Sequence, residues 1–335
     1  MQRTSSVAIQ FGSAETQIAT PGESPAYIEP TVAAIDARGR VLVGHEAIGQ
    51  RRKHAVWPIR EDVVHDREYA RRVANTLLRR AAPGGLRFRR RVVLAVPGSA
   101  SPVEREAFDD VFFEYDLRKI ALPVAAANGA GVPFGGATSV MLIHFGAGRT
   151  EVAVLERGGL IWCEPARLAT GACMERAVKK TVCDAYRVNV ADQNVAALLQ
   201  SGLPATAEDA SGRFLPSQWD RRVQRAGMEI SRATVEEALS PALEDVADLV
   251  REAASDEIMN GAVVLTGPYA AVPNLAAAMK RRLGALQFVV APDPGDCVMR
   301  GLRLALQEPK RARAKTKGKP MQAIQPLSES VSSAA

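Results

Sequence analysis

The chain has 335 residues, with 43 Lys and Arg against 37 Asp and Glu, for a net charge of +6. Apolar residues make up 47% and charged residues 24%, globular values that exclude a wholly disordered or collagen-like chain. The charge is uneven: residues 309–335 hold Lys310, Arg311, Arg313, Lys315, Lys317 and Lys319 against the single acid Glu329, or +5, so the preceding residues are nearly neutral. The four cysteines, Cys163, Cys173, Cys183 and Cys297, lack zinc-ligand spacing and are too few for a disulfide scaffold. They read as small buried hydrophobes in a reducing compartment. The N-terminus shows no signal-peptide hydrophobic region. Residues 120–144 lack acids, Lys and Arg, but Pro123, Gly129, Gly131, Pro133 and Gly135 break them into a short helix, a loop and a strand. A buried segment of a cytosolic core fits better than a membrane span.

In chain order, residues 7–11 are a short apolar strand, 12–16 a glycine turn, and 17–20 its return. Residues 30–35 and 40–43 form a second hairpin around Asp36–Gly39. Val73, Leu77 and Leu78 give 68–80 a helical face among arginines. Residues 91–96 form a strand closed by Pro97-Gly98. Ser101-Pro-Val-Glu104 is a capping box that opens a helix. Strands follow over 139–145, 151–155 and 160–163, then helices over 172–185 and 235–254. A buried strand over 263–266 ends in Gly267. A helix over 275–283, a strand over 288–291 and a helix over 297–306 complete the ordered part. Residues 308–335, with no apolar period, read as a disordered basic tail.

Two segments repeat one design: Val7-Ala-Ile-Gln-Phe-Gly-Ser-Ala-Glu-Thr16 and Met141-Leu-Ile-His-Phe-Gly-Ala-Gly-Arg-Thr150. Each is a strand, an x-Phe-Gly turn and a second strand. The expected fold class is therefore α/β with duplicated halves around a cleft. Half I covers 1–138 with an insert at about 28–68. Half II covers 139–307 with an insert at about 187–234. Glycine turns after strands let backbone N–H groups approach a phosphate. The candidate phosphate-binding residues are Gly12, Ser13, Ala14, Glu15 and Thr16 on the first turn, and Gly146, Ala147, Gly148, Arg149 and Thr150 on the second. Gly267, Pro268, Tyr269 and Ala270 would approach an adenine ring.

This ordered set resembles the bacterial actin-like family of rod-shape-determining MreB proteins and the magnetosome filament protein MamK, over about residues 5–307. Glu29-Pro-Thr-Val-Ala-Ala-Ile35 is similar to the family's Glu-Pro-Ser-Val-Val-Ala-Ile. Trp57-Pro-Ile-Arg-Glu-Asp-Val-Val-His-Asp66 is similar to Arg-Pro-Met-Arg-Asp-Gly-Val-Ile-Ala-Asp. Val96-Pro-Gly-Ser with Val103-Glu-Arg, Pro123-Val-Ala-Ala-Ala, Thr150-Glu-Val-Ala-Val and Val263-Val-Leu-Thr-Gly267 match further family runs. The resemblance implies an actin-like fold, with four subdomains around a nucleotide cleft. It also implies ATP-dependent polymerisation into membrane-associated filaments that organise cell-wall synthesis.

The departures fall on the chemistry. The family's first phosphate-loop Asp is Gln10 here, and the second is His144. The catalytic Glu run falls on Ala121 and Leu122. Residues 196–199 offer nothing polar for a ribose, and Pro268 and Tyr269 replace two glycines of the third motif. These losses argue against magnesium as a cofactor and against hydrolysis, leaving ATP as the candidate ligand and no catalytic residue assigned. Arg149 stands where the family usually has Thr. One expectation is that Arg149, with His144, adds the positive charge that replaces the cation; the other is that it faces solvent or pairs with Glu15.

Leu86 and Phe88, framed by Arg87, Arg89, Arg90 and Arg91, lie where MreB proteins carry a membrane-inserting loop. The competing reading puts both in a strand entry. The leading expectation is a filament subunit or scaffold for cell shape and envelope assembly. It would contact copies of itself, envelope assembly proteins and the cytoplasmic face of the inner membrane. No specific nucleic-acid surface is visible. The rivals are an active MreB-type ATPase and a non-polymerising actin-fold adaptor.

Overall fold

The computed structural model describes residues 6–21, 26–49, 55–83, 90–133, 139–200, 202–204, 213–214, 229–254, 262–284 and 286–307. The first sheet starts with β1 (Ser6–Phe11), β2 (Glu15–Ala19) and β3 (Tyr27–Pro30). An insert follows: β4 (Ala33–Ile35), β5 (Val41–Val43), α1 (His45–Ile48), β6 (Ala55–Val56) and the short hairpin β7 (Ile59–Arg60) and β8 (Val63–Val64). Helix α2 (Arg67–Ala81) returns to the sheet, which β9 (Arg91–Val96), α3 (Pro102–Val111), β10 (Asp116–Ala121) and α4 (Leu122–Gly129) complete. The strand order is β10-β9-β1-β2-β3.

The second sheet repeats it with β11 (Ser139–Phe145), β12 (Thr150–Glu156) and β13 (Gly159–Ala166). Helices α5 (Gly171–Tyr186) and α6 (Asp192–Gln200), strands β14 (Arg213–Phe214) and β15 (Ile230–Ser231) and helix α7 (Arg232–Ala253) follow. Then come β16 (Ala262–Thr266), α8 (Leu275–Leu283), β17 (Gln287–Val290) and α9 (Cys297–Gln307). The order β13-β12-β11-β16-β17 is that of the first sheet, position for position.

Strand alternation explains the layers. Val7, Ile9 and Phe11 point outward to α2 and α3, while Ala8 points inward. In the second sheet Met141, Ile143 and Phe145 meet α5, α7 and α8, while Leu142 faces inward. The inner faces of both sheets close on α4 and α9, giving one shared apolar cluster that contains Ala8, Ala126, Leu142 and Leu302. The two helices cross at glycines. A Cβ on Gly129 would lie 1.8 Å from the Cys297 carbonyl oxygen, and one on Gly301 1.9 Å from that of Ala125.

The capping box at the start of α3 is present: Ser101 N–H donates to Glu104 Oε2 at 2.7 Å and Glu104 N–H to Ser101 Oγ at 3.3 Å. Sequence patterning misses β10, because Asp116, Arg118 and Lys119 hide an edge strand that pairs parallel with β9. It finds the β4–β5 hairpin of the insert but misses β3, β6, the β7–β8 hairpin and α6. No helix among the described residues is long and apolar enough to cross a membrane.

Candidate functional site

The two glycine turns have one geometry. Gly12 N–H donates to the Glu15 carbonyl at 3.1 Å, and Gly146 N–H to that of Arg149 at 3.1 Å. Phe11 pairs with Thr16 across the first hairpin, and Phe145 with Thr150 across the second. The turns face each other closely: a Cβ on Gly148 would lie 2.3 Å from Ser13 Oγ. Only a residue without a side chain fits there.

Below the turns lies a cavity of about 510 Å³ whose wall includes Gln10, Ser13, Glu15, Asp62, His144 and Arg303. Above them is a cleft of about 890 Å³ reaching Ser99, Glu104, Arg149, Glu175 and Tyr269. A smaller recess of about 250 Å³ adjoins α6. Tyr269 borders all three.

Gln10 Oε1 is buried with no hydrogen-bond partner. His144 is buried at 2% exposure, its Nδ1 3.2 Å from Thr266 Oγ1. Burial drops its pKa to about 4, so the imidazole is neutral at pH 7. This overturns the expectation that His144 adds positive charge. Ala121 precedes α4 and Leu122 begins it, buried against the inner cluster. Neither borders the cavities.

Arg149 is largely buried and does not pair with Glu15. Its Nε donates to the Glu61 carbonyl at 2.7 Å, its Nη1 to Ser99 Oγ at 3.0 Å, and its Nη2 stands 3.6 Å from Glu104 Oε1. The guanidinium therefore ties the second turn to elements around the first sheet. The cation that borders the lower cavity is Arg303 on α9. Its Nε and Nη2 are buried and have no hydrogen-bond partner, and its Nη1 lies 3.7 Å from Asp296 Oδ2.

Ser13, Ala14 and Ala147 border both larger cavities, Gly12, Glu15 and Gly146 the lower one, and Gly148 the upper one. Thr16 and Thr150 turn inward instead. Thr16 Oγ1 is 2.8 Å from Thr31 Oγ1, and Thr150 Oγ1 donates to the Ala169 carbonyl at 2.7 Å. Pro268 borders the lower cavity and the recess, while Gly267 and Ala270 are buried behind it. The recess is more polar than residues 196–199 suggest, because Gln200 and Glu175 border it too.

The site residue that sequence patterning misses is Asp62. It is the second residue of the two-residue turn between β7 and β8, where Glu61 and Asp62 both have left-handed φ, 49° and 55°. Such turns favour Asn-Gly or Asp-Gly, and each other residue costs about 1 kcal/mol. Ser13 N–H donates to Asp62 Oδ1 at 2.7 Å, and Asp62 N–H to Ser13 Oγ at 2.7 Å. Burial holds the Asp62 carboxyl above the usual carboxylate range, against the Ser13 bonds and Arg149. The signal was in the run from Trp57 to Asp66, where Asp62 falls on the family's Gly.

Leu86 and Phe88 lie outside the described residues, as does the basic tail. Arg90 does not belong to a cationic frame at the surface. It is buried, and its Nη2 donates to the Ala82 carbonyl at 3.0 Å at the end of α2.

Magnesium is a hard cation that takes oxygen ligands. At the two acid positions this chain supplies an amide and a neutral imidazole. Among the described residues no group of three or more His, Cys, Asp or Glu side chains is placed to hold a metal ion. Those two positions therefore supply no carboxylate to the ion.

A family model described as MreB/Mbl protein matches residues 4–314. The chain belongs to the MreB/Mbl family. It is 28% identical to the cell shape-determining protein MreB of Escherichia coli (strain K12), covering 90% of this chain and 93% of that one. It is 24% identical to the cell shape-determining protein Mbl of Bacillus subtilis (strain 168), covering 90% and 95%. Among solved structures it is similar to MreB 5 of Spiroplasma citri bound to AMPPNP, with a TM-score of 0.76, 19% identity, and 91% and 96% of the two chains covered. The same protein bound to ADP matches with a TM-score of 0.74, 20% identity and 90% and 96% coverage. The fold is actin-like, as this MreB/Mbl membership and the paired sheets require.

Proposed function

We propose that the chain is an actin-like cytoskeletal subunit that serves cell shape by assembling with copies of itself, and that its cleft does not turn over ATP. The curated relatives are named for determining cell shape. The observation that carries the loss of turnover is the donor set: Gln10, a neutral buried His144, and Ala121 with Leu122 in place of acids. No carboxylate stands at those positions to hold a hydrated cation or to take a proton from water. The division at residues 138 and 139, with inserts at about 28–68 and 187–234, gives two halves with the cleft between them, and this cleft is the seat for a weakly held nucleotide. Leu86 and Phe88 give the polymer a contact with the cytoplasmic face of the membrane, where envelope assembly proteins would meet it.

Sedimentation with negative-stain microscopy, with and without ATP, tests this reading beside a phosphate-release assay. Pelletable filaments and release at background are expected. Magnesium-dependent release would replace it with an active ATPase. A monomer at high concentration would replace it with an adaptor. Vesicle pelleting of a Leu86→Ser/Phe88→Ser variant at the wild-type level would remove the membrane contact.

A further inference from the structure

Two side chains stand inside the cleft at positions where the matching family runs carry glycine: Asp62 and Tyr269. Each already makes contacts of the kind a ligand would make. A glycine turn offers a phosphate its backbone N–H groups. Here the Ser13 N–H is given to Asp62 Oδ1 at 2.7 Å, and the contact is doubled by Asp62 N–H to Ser13 Oγ. The same carboxylate oxygen would lie 2.8 Å from a Cβ on Gly148 and 3.6 Å from one on Gly12. It therefore sits where both glycine turns converge. The turn that carries it is also held from the second sheet, because Arg149 Nε donates to the Glu61 carbonyl at 2.7 Å.

Tyr269 does the equivalent at the other end of the cleft. Its ring lies on the start of α5, so that a Cβ on Gly171 would come 2.1 Å from Tyr269 Cε2. Its hydroxyl donates to Glu175 Oε1 at 2.5 Å. The aromatic ring thus fills space beside Pro268 and Ala271, against the recess that adjoins α6.

We propose that Asp62 and Tyr269 are built-in occupants of the phosphate and nucleoside seats, and that they keep the cleft closed and set it against nucleoside polyphosphates. The inference rests on reading the cleft as the nucleotide seat. An incoming phosphate oxygen must take the Ser13 amide from a carboxylate and then remain beside it, where two like charges repel. An incoming base must displace a ring held at its hydroxyl end by Glu175. Contacts that elsewhere depend on a bound ligand are internal here, so closure of the two halves needs no cofactor.

The test is calorimetric titration of the full chain with ATP, once with magnesium and once with EDTA. It uses wild type, Asp62→Gly, Tyr269→Gly and the double variant. Glycine suits the left-handed backbone at 62, so the turn survives the first change. Asp62→Asn keeps the shape and removes the charge, and Tyr269→Phe keeps the ring and removes its Glu175 bond; both guard against a folding artefact. Asp62→Gly is expected to tighten ATP binding about tenfold or more, and the double variant further. Asp62→Asn should fall between wild type and Asp62→Gly, and Tyr269→Phe, which frees the ring from Glu175, between wild type and Tyr269→Gly. Limited proteolysis gives a second reading: apo Asp62→Gly should be cut faster in the cleft and protected by ATP, while wild type should not respond. Equal affinity in wild type and the double variant overturns the proposal, as does a folded double variant that binds no ATP. Wild-type ATP binding as tight as that of the double variant, without turnover, would end this proposal alone, whereas ATP turnover would also end the reading under Proposed function.

Discussion

The two glycine hairpins share a register and a turn hydrogen bond of the same length, yet they differ at almost every side chain that matters. In the first, Gln10 faces Gln17 across the strands, and Gln17 Nε2 donates to the exposed Glu15. In the second, His144 faces Glu151, which is buried and accepts from Gly98 N–H, Ser99 N–H and Ser99 Oγ. The fourth turn residue is Glu15 in one and the largely buried Arg149 in the other. The second hairpin thus holds the first half, while the first hairpin is held by the insert through Asp62. One backbone shape serves as an anchor on one side and as a receptor on the other.

Substitution at matched positions sharpens the contrast. At neutral pH the largest difference is expected between Glu151→Ala and Gln17→Ala. Removing Glu151 strands two half-buried amides and a hydroxyl and should cost about 2 kcal/mol in chemical denaturation. Removing Gln17 should change stability by less than about 0.5 kcal/mol. Equal costs would mean that Glu151 does not tie the halves together.

Next is the pH dependence of His144. Its ordinary pKa of 6.5 applies to the unfolded chain, and about 4 to the folded one. Between these values the unfolded state binds more protons, so stability is full above pH 6.5 and falls as the pH drops toward 4. The loss approaches about 3 kcal/mol. Asp62, raised above its ordinary range, works in the opposite direction, but it does so equally in wild type and in His144→Gln. The difference between those two chains therefore isolates the histidine. A parallel pH profile for the two would reject its buried neutral state.

The turn glycines come third. A Cβ on Gly146 would meet the Arg149 carbonyl at 2.4 Å, whereas one on Gly12 would meet that of Glu15 at 3.2 Å. Gly146→Ala should cost about 2 kcal/mol and Gly12→Ala less than half of that, as read from thermal midpoints. The smallest contrast pairs Arg149→Ala, at about 1–2 kcal/mol for two lost hydrogen bonds, with Glu15→Ala, near zero.

The hairpins were legible in the sequence because a glycine turn between alternating apolar runs fixes local register without help from elsewhere. That the fold has two similar halves followed from meeting that unit twice; the strand order, with β3 and β10 unread, did not. What was not legible depended on distant partners. The direction of Arg149 is set by Glu61, Ser99 and Glu104, all contributed by chain segments far upstream. The charge of His144 is set by its burial within the second sheet, between β12 and β16, which composition does not report. Strand β10 was hidden because an edge strand tolerates Asp116, Arg118 and Lys119, whose charges erase the apolar signature. Asp62 alone was recoverable: a Glu-Asp pair is a poor choice for a two-residue hairpin turn, and a poor local choice often marks a site with another task.

The crossing of α4 and α9 carries a mechanical consequence. At Gly129 and Gly301 main chain lies against main chain, and each helix ends one half while packing on the inner face shared with the other. A contact without side chains has no rotamers to reset when the sheets turn against each other. Were the two sheets to turn against each other, this crossing is the place where main chain could pivot on main chain, and a small rotation there would carry the distant rims through a longer arc. Any side chain added at either glycine would jam the bearing, whatever state the cleft is in.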